Sequence, residues 1–186
     1  MNKILYIIAG ANGSGKTTFA MTFAQLQNLK FINADEIAKE YDPNDIQKHK
    51  MKAGKKFFEE LYIFLEKQES FIIETTLSGK YLIKIINKAK QKGFRVSLIY
   101  LFLETKTENI YRVKNRVLKG GHDVPTEDIV RRYYRSMKLF ENTYKHLVDE
   151  WMLFFNGDDS FELVENQNIL YDEELKNLFL EGMKDD

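Results

Sequence analysis

The chain has 186 residues, a length that suits one domain with a single hydrophobic core. Its 28 Lys and Arg residues balance 28 Asp and Glu residues, which argues against a broad nucleic-acid-binding face. With no cysteine to form disulfides or thiolate metal sites, and no segment near the ~20 apolar residues of a membrane span, we expect one cytoplasmic domain over residues 1–186 without a nucleic acid or membrane partner.

The spacing of apolar residues predicts strands and helices that alternate along the chain. Short apolar runs predict strands at residues 4–9, 31–33, 70–75, 95–103 and 151–155, and the run at 161–165 suits a last one. Helical spacing and capping residues predict helices at 15–28, from Ala34, at 45–67, 79–92, from Thr105 to 118, from Thr126 onward and at 173–181. Asn33, with Glu36 three residues later, is the predicted N-cap of the helix that begins at Ala34. This alternation predicts an α/β fold whose mostly parallel sheet has about five strands.

The sequence GANGSGKT, residues 10–17, satisfies the phosphate-binding pattern G-x-x-x-x-G-K-[ST] between a predicted strand and a predicted helix. Glycines let backbone N–H groups converge on phosphate oxygens, and the helix adds its positive N-terminal end. Lys16 can reach the β- and γ-phosphates, and the Thr17 hydroxyl can bind Mg²⁺. The alternative is a chance match in a flexible turn. The predicted nucleotide-binding residues are Gly10, Ala11, Asn12, Gly13, Ser14, Gly15, Lys16, Thr17 and Thr18.

Three carboxylates follow or end predicted strands, where ligands bind in parallel α/β sheets. Asp35 could accept the proton of an attacking hydroxyl, although an acid in the first turn of a helix is favoured by the helix dipole anyway. Glu74 could act through water on Mg²⁺, hold an acceptor, or simply end its strand. Glu104 is expected to serve helix initiation beside the Thr105 cap.

Two groups of arginines flank a glycine-containing loop at residues 120–125. Arg112 and Arg116 share one helix face, Arg131 and Arg135 share another, and Arg132 lies beside the second pair. The two helices could close as a lid, over about residues 112–136, and neutralise charge on a transferred phosphoryl group. Solvated helix faces are the alternative. His122 in the loop is expected to order the hinge rather than bind a metal.

Five segments stand out together: AGANGSGKTTF, NADEIA, FIIETTLSG, RVKNRVLKGGHDVP and IVRRYYRS. They are spread over about residues 6–136 and resemble the zeta-toxin family of P-loop kinases, especially its shorter bacterial "zeta toxin / predicted ABC-type ATPase" branch. The resemblance implies a three-layer, nucleoside-kinase-like P-loop NTPase fold with a helical lid. It also implies Mg²⁺-dependent transfer of the γ-phosphate of ATP to a hydroxyl of UDP-N-acetylglucosamine.

The same resemblance assigns roles to the candidate residues. Asp35 matches the catalytic base, Lys16 the phosphate lysine and Thr17 the magnesium-side hydroxyl. Glu74 and Thr76 match the positions that hold the sugar nucleotide, together with Asp35.

In the lid, Arg116 matches one arginine of the family, and the second is Arg131 or Arg132. The resemblance further implies an antitoxin protein as a partner. Two other functions stay open from the residues: a kinase for another sugar or a nucleotide, and an ATP-binding regulatory module that transfers no phosphate. The loop at residues 156–159 is expected from the topology to border the adenine.

Overall fold

A computed structural model describes residues 3–42, 46–157 and 160–184. The strands among them are β1 (Ile4–Ala9), β2 (Lys30–Ile32), β3 (Phe71–Thr75), β4 (Arg95–Phe102), β5 (Glu150–Asn156) and β6 (Phe161–Asn166). The helices are α1 (Lys16–Gln27), α2 (Ala34–Tyr41), α3 (Ile46–Lys67), α4 (Leu82–Gln91), α5 (Lys106–Leu118), α6 (Thr126–Asn142) and α7 (Glu173–Gly182).

These strands form one sheet in the order β2-β3-β1-β4-β5-β6. The first five run parallel, as the sequence predicts, and β6 adds an antiparallel edge beside β5. In the centre, Ile7 of β1 lies between Ile73 of β3 and Leu98 of β4. These strands read as nearly continuous apolar runs because both faces of the sheet are covered.

Helices cover the two faces of the sheet, which gives the expected three layers. On one face, Leu5, Ile7 and Tyr100 belong to a large buried core with residues of α2, α3, α4, α6 and α7. On the other face, Ile8 and Ile99 pack with Ala20 and Ala24 of α1 in a smaller core. The apolar residues therefore alternate between two covering layers, and the strand ends remain free to carry polar groups.

Helix α7 packs against α6 and the sheet. The Phe179 ring is fully buried and lies 5.9 Å from the Phe140 ring of α6. Lys176, whose side chain is 11% exposed, lies 3.1 Å from Glu141 of α6 and 2.7 Å from Glu165 of β6. Burial alone would raise the pKa of Glu141, but hydrogen bonds from Lys145 and Lys176 and the charges of these lysines hold that pKa below its usual range.

The helix boundaries follow the predicted signals with one clear difference. The Asn33 side chain accepts from the N–H groups of Asp35 at 2.7 Å and Glu36 at 3.3 Å, so the predicted N-cap of α2 is confirmed. Helix α4 begins at Leu82 instead of residue 79, because Leu77 turns the chain with a φ of 54° and a bend follows it. Across the described parts of the chain, none of the helices combines the length and apolarity needed to span a bilayer.

Candidate active site

The phosphate-binding loop leaves β1 in a conformation that only glycine adopts readily. Gly13 and Gly15 have φ values of 84° and 87°, in the left-handed region. A Cβ on Gly10 would lie 2.2 Å from the carbonyl oxygen of Leu101, so the loop sits directly against β4. Six residues of the loop and the start of α1 line a cleft: Asn12, Gly13, Gly15, Lys16, Thr17 and Thr18. Gly10, Ala11 and Ser14 do not line this cleft.

The cleft has a volume of about 640 Å³ and lies beyond the carboxyl ends of the parallel strands. Residues after β5, including Ser160 and Phe161, complete its wall near the loop. Of the segment expected to border the adenine, Asn156 lines the cleft, whereas Asp158 and Asp159 lie outside the described residues. A cleft of this size can hold a ligand as large as a nucleotide.

Lys16 is buried at the floor of the cleft with only 6% of its surface exposed. Its Nζ donates to the carbonyl oxygen of Ala11 at 2.8 Å and lies 3.9 Å from a carboxylate oxygen of Glu74. Burial lowers the pKa of Lys16, and the negative charges of Glu74 and Asp35 oppose that effect. An anionic ligand in the cleft would therefore meet a desolvated ammonium group.

Glu74 links the phosphate-binding loop to the start of α2. Its Oε2 accepts from the Thr17 hydroxyl at 2.9 Å and from Asn33 Nδ2 at 2.7 Å. Burial raises the pKa of Glu74, while Lys16 and the two hydrogen bonds favour the carboxylate. The sequence indicated Asn33 only as a helix cap, and its second contact brings Asp35, two residues later, to the same side of the sheet.

The same cleft is lined by residues that the sequence associates with an acceptor. Asp35 and Thr76 line the cleft, with Lys39 and His122 beside them. The Thr76 hydroxyl hydrogen-bonds with that of Ser78 at 3.0 Å. Glu104 does not line the cleft, and its backbone carbonyl accepts from the hydroxyl of Tyr133.

The arginines divide by position. Arg112 and Arg116 on α5 line the cleft, and Arg116 donates to the carbonyl oxygen of His122 at 2.7 Å. On α6, Arg132 donates to the Asn12 side chain at 3.1 Å and so reaches the phosphate-binding loop. The Arg131 side chain is 55% exposed and pairs with Asp128 at 2.6 Å. The geometry thus brings Arg132, not Arg131, to the loop.

A sequence model described as "Zeta toxin" matches residues 1–175, nearly the whole chain. The chain belongs to the zeta toxin family. An uncharacterized protein of Haemophilus influenzae is 35% identical over 133 residues, which span 72% of this chain and 93% of that protein. A cytidylate kinase of Saccharolobus islandicus is 23% identical over 161 residues, which span 81% of this chain and 79% of the kinase.

Among solved structures, a protein of the PezAT chromosomal toxin–antitoxin system of Streptococcus pneumoniae has a TM-score of 0.67. The alignment covers 96% of this chain and 79% of that one at 20% identity, a level at which the likeness speaks for the fold. Together with the match to the zeta toxin family, it confirms the P-loop kinase-like fold expected from the sequence. The family and its kinase relatives support an ATP-dependent phosphotransferase.

Two asparagines of this zeta toxin family member donate hydrogen bonds to the phosphate-binding loop, and the sequence predicts neither contact. Asn109 Nδ2 donates to the carbonyl oxygen of Asn12 at 2.6 Å, and Asn156 Nδ2 donates to that of Ser14 at 3.0 Å. Asn156 carries a weak signal, since it ends a strand at the ligand-binding edge. Asn109 carries none, because it lies within an ordinary helical pattern.

Proposed function

We propose that this chain transfers the γ-phosphate of ATP to a hydroxyl of UDP-N-acetylglucosamine. The observation that carries the proposal is that the buried Lys16 and the acidic residue Asp35 line the same cleft. Membership of the zeta toxin family supports the kinase chemistry. The family resemblance of the Asp35, Glu74 and Thr76 segments supports the nucleotide-sugar acceptor.

On the donor side, the residues of the phosphate-binding loop would hold the triphosphate. Backbone N–H groups of Gly13 and Gly15 and the Lys16 ammonium offer positive partners to phosphate oxygens. The Thr17 hydroxyl and the Glu74 carboxylate, 2.9 Å apart, supply the hard oxygen donors that Mg²⁺ prefers. When bound there, Mg²⁺ would neutralise charge on the phosphates.

On the acceptor side, Asp35 would take the proton of the attacking hydroxyl as general base. Thr76 lines the same wall and can hydrogen-bond the acceptor, while Glu74 can hold either the acceptor or the metal side. Arg116 and Arg132 approach the cleft from α5 and α6 and would stabilise charge on the transferred phosphoryl group. Catalysis of this kind depends on positioning and charge neutralisation.

A nucleotide acceptor is the second candidate, and the similarity to a cytidylate kinase favours it. Both candidates need the same base and phosphate grip, so they differ only in the molecule that becomes phosphorylated. A regulatory ATP-binding module would instead hydrolyse ATP slowly and phosphorylate nothing. The toxin–antitoxin origin of the Streptococcus pneumoniae neighbour supports a protein antitoxin as a further partner of this chain.

The test uses labelled ATP and a panel that contains UDP-N-acetylglucosamine, other nucleotide sugars and nucleoside monophosphates, with products identified by mass spectrometry. Asp35→Asn should bind ATP normally and lose about 10²–10⁴-fold in transfer rate, the usual contribution of a general base. Glu36→Gln is the matched control, because Glu36 is the other acid of the same helical turn and also lines the cleft. It should keep most of the rate.

Equal losses in the two variants would show that Asp35 contributes only a negative charge, as Glu36 does, and is not the general base. Phosphorylation of a nucleoside monophosphate alone would replace the proposed acceptor with the second candidate. ATP hydrolysis without any phosphorylated product would support the regulatory module.

A further inference from the structure

Two buried asparagines donate hydrogen bonds to backbone carbonyl groups of the phosphate-binding loop. Asn109 of α5 is fully buried and donates to the carbonyl oxygen of Asn12 at 2.6 Å. Asn156 at the end of β5 is 8% exposed and donates to the carbonyl oxygen of Ser14 at 3.0 Å. The two asparagines therefore hold alternate peptide groups of the same loop.

A carbonyl held in this way fixes the direction of the N–H group that follows it. In a trans peptide the C=O and N–H bonds point to opposite sides, and the described residues contain no cis peptide bond. Because Asn109 and Asn156 hold the carbonyls of Asn12 and Ser14, the N–H groups of Gly13 and Gly15 point away from these asparagines, and both glycines line the cleft. The intervening Ser14 N–H donates within the loop, to the carbonyl oxygen of Ala11 at 3.2 Å.

The glycines fit closely against the same asparagines. A Cβ on Gly13 would lie 2.6 Å from the backbone oxygen of Asn109, and a Cβ on Gly15 would lie 2.3 Å from Asn156 Nδ2. Both distances are too short for a carbon atom, so the backbone of residue 109 and the side chain of Asn156 can approach the loop only because the residues opposite are glycines. The asparagine side chain itself is matched to a glycine at Asn156 and Gly15.

Folding alone does not favour an asparagine at position 109. Among the described residues its Oδ1 has no hydrogen-bond partner, although the side chain is fully buried. A buried acceptor without a partner destabilises the fold. The amide is therefore best explained by the one bond that it does make, from Nδ2 to the loop.

We infer that Asn109 and Asn156 are positioning residues that aim the N–H groups of Gly13 and Gly15 at the phosphates of ATP. The inference rests on the proposed binding of ATP in this cleft. Without either asparagine, the peptide that it holds can rotate and withdraw its N–H group. Because the N–H groups would contact the phosphates before and during transfer alike, their loss raises the KM for ATP more than it lowers kcat.

The experiment compares Asn109→Ala and Asn156→Ala with wild type and with Asn87→Ala, which changes an exposed asparagine on α4. Isothermal titration measures the binding of ATP and of inorganic pyrophosphate, which has no base or sugar. Each loop variant should bind both ligands about 10-fold or more weakly, since hydrogen bonds to charged acceptors are the strong ones. The affinity of the Asn87→Ala control for both ligands should stay within about twofold of wild type, because the Asn87 side chain lies on the surface and far in sequence from the phosphate-binding loop.

Two further readouts separate positioning from a general loss of structure. The amide NMR signal of Gly13 should move in Asn109→Ala, and that of Gly15 in Asn156→Ala. If an alanine variant fails to fold, Asn109→Ser and Asn156→Ser keep a hydroxyl donor and should retain part of the pyrophosphate affinity. Urea unfolding shows whether each variant is folded.

The outcomes distinguish the inference from the proposed function. Wild-type binding together with unchanged affinity in the folded loop variants would overturn the inference and leave the proposed function intact. Wild-type protein that binds neither ATP nor pyrophosphate would overturn both. If the variants lower kcat by as large a factor as they raise the KM for ATP, the result would also contradict the positioning role of the two asparagines.

Discussion

Substitution of Asn33 directly tests the contact between α2, which carries Asp35, and Glu74 beside the phosphate-binding loop. The Asn33 side-chain oxygen caps α2, and its Nδ2 donates to buried Glu74 at 2.7 Å. Asn33→Ala removes both contacts. The cap contributes ~1 kcal/mol, and a hydrogen bond to a charged group contributes about 1.5–3 kcal/mol. We therefore expect the free energy of unfolding to fall by about 2.5–4 kcal/mol at neutral pH.

Asn33→Asp isolates the second contact, because aspartate caps a helix as well as asparagine does. The new carboxylate faces that of Glu74, and two carboxylates at one site raise the pKa of the pair above the value of about 4 in the unfolded chain. Groups with a raised folded pKa contribute stability that is full below the unfolded pKa and is lost as pH rises through the folded pKa. The destabilisation of Asn33→Asp should therefore grow from pH 5 to pH 8.

Urea unfolding of wild type and both variants at pH 5, 6, 7 and 8 measures these differences. The curve for Asn33→Ala should depend less on pH, since alanine adds no second carboxylate. If Asn33→Asp is as stable as wild type at pH 8, or if its pH dependence parallels that of wild type, the bond between Asn33 and Glu74 is not made. In that case Asn33 serves α2 alone.

Four further substitutions test three other parts of the structure. Lys176→Met should lower the free energy of unfolding in urea by about 1–3 kcal/mol, because it leaves the Glu165 carboxylate without this lysine and Glu141 with Lys145 alone. In the transfer assay, Arg132→Ala should reduce kcat at least about 10-fold and Arg131→Ala less than about twofold, since charge stabilisation needs the arginine that reaches the loop. Equal reductions would contradict the assignment of this role to Arg132. Gly121→Ala would place a Cβ 2.4 Å from Arg116 Cγ and 2.8 Å from the Arg116 carbonyl oxygen. We therefore expect a lower kcat and a free energy of unfolding that is lower by about 1–3 kcal/mol. An unchanged kcat would show that Gly121 does not hold Arg116 in place.

The sequence predicts most of the fold because its strongest signals are local. Buried parallel strands read as continuous apolar runs, and the residues that cap α2 and α5 are recognisable side chains. The late start of α4 was missed because it depends on the left-handed backbone of Leu77, a residue type that gives no such signal.

The site is predictable to the extent that it is carried by motifs and strand ends. Asp35 and Glu74 line the cleft because the carboxyl ends of parallel strands meet at one edge. The choice between Arg131 and Arg132 could not be made from sequence, since neighbouring residues on a helix differ by about 100° in direction. The sequence gives no signal for the contact of Asn109 with Asn12, because the two residues are 97 positions apart.

The bond from Asn156 to Ser14 also has a consequence for synthesis, because 142 residues separate its two ends. A ribosome that adds about 5–20 residues per second needs roughly 7–28 s to synthesise these 142 residues. During this time the growing chain already carries its glycine-rich segment but lacks β5. We therefore expect nascent chains that end before Glu150 to bind ATP poorly, and to gain nucleotide affinity only after β5 has been made.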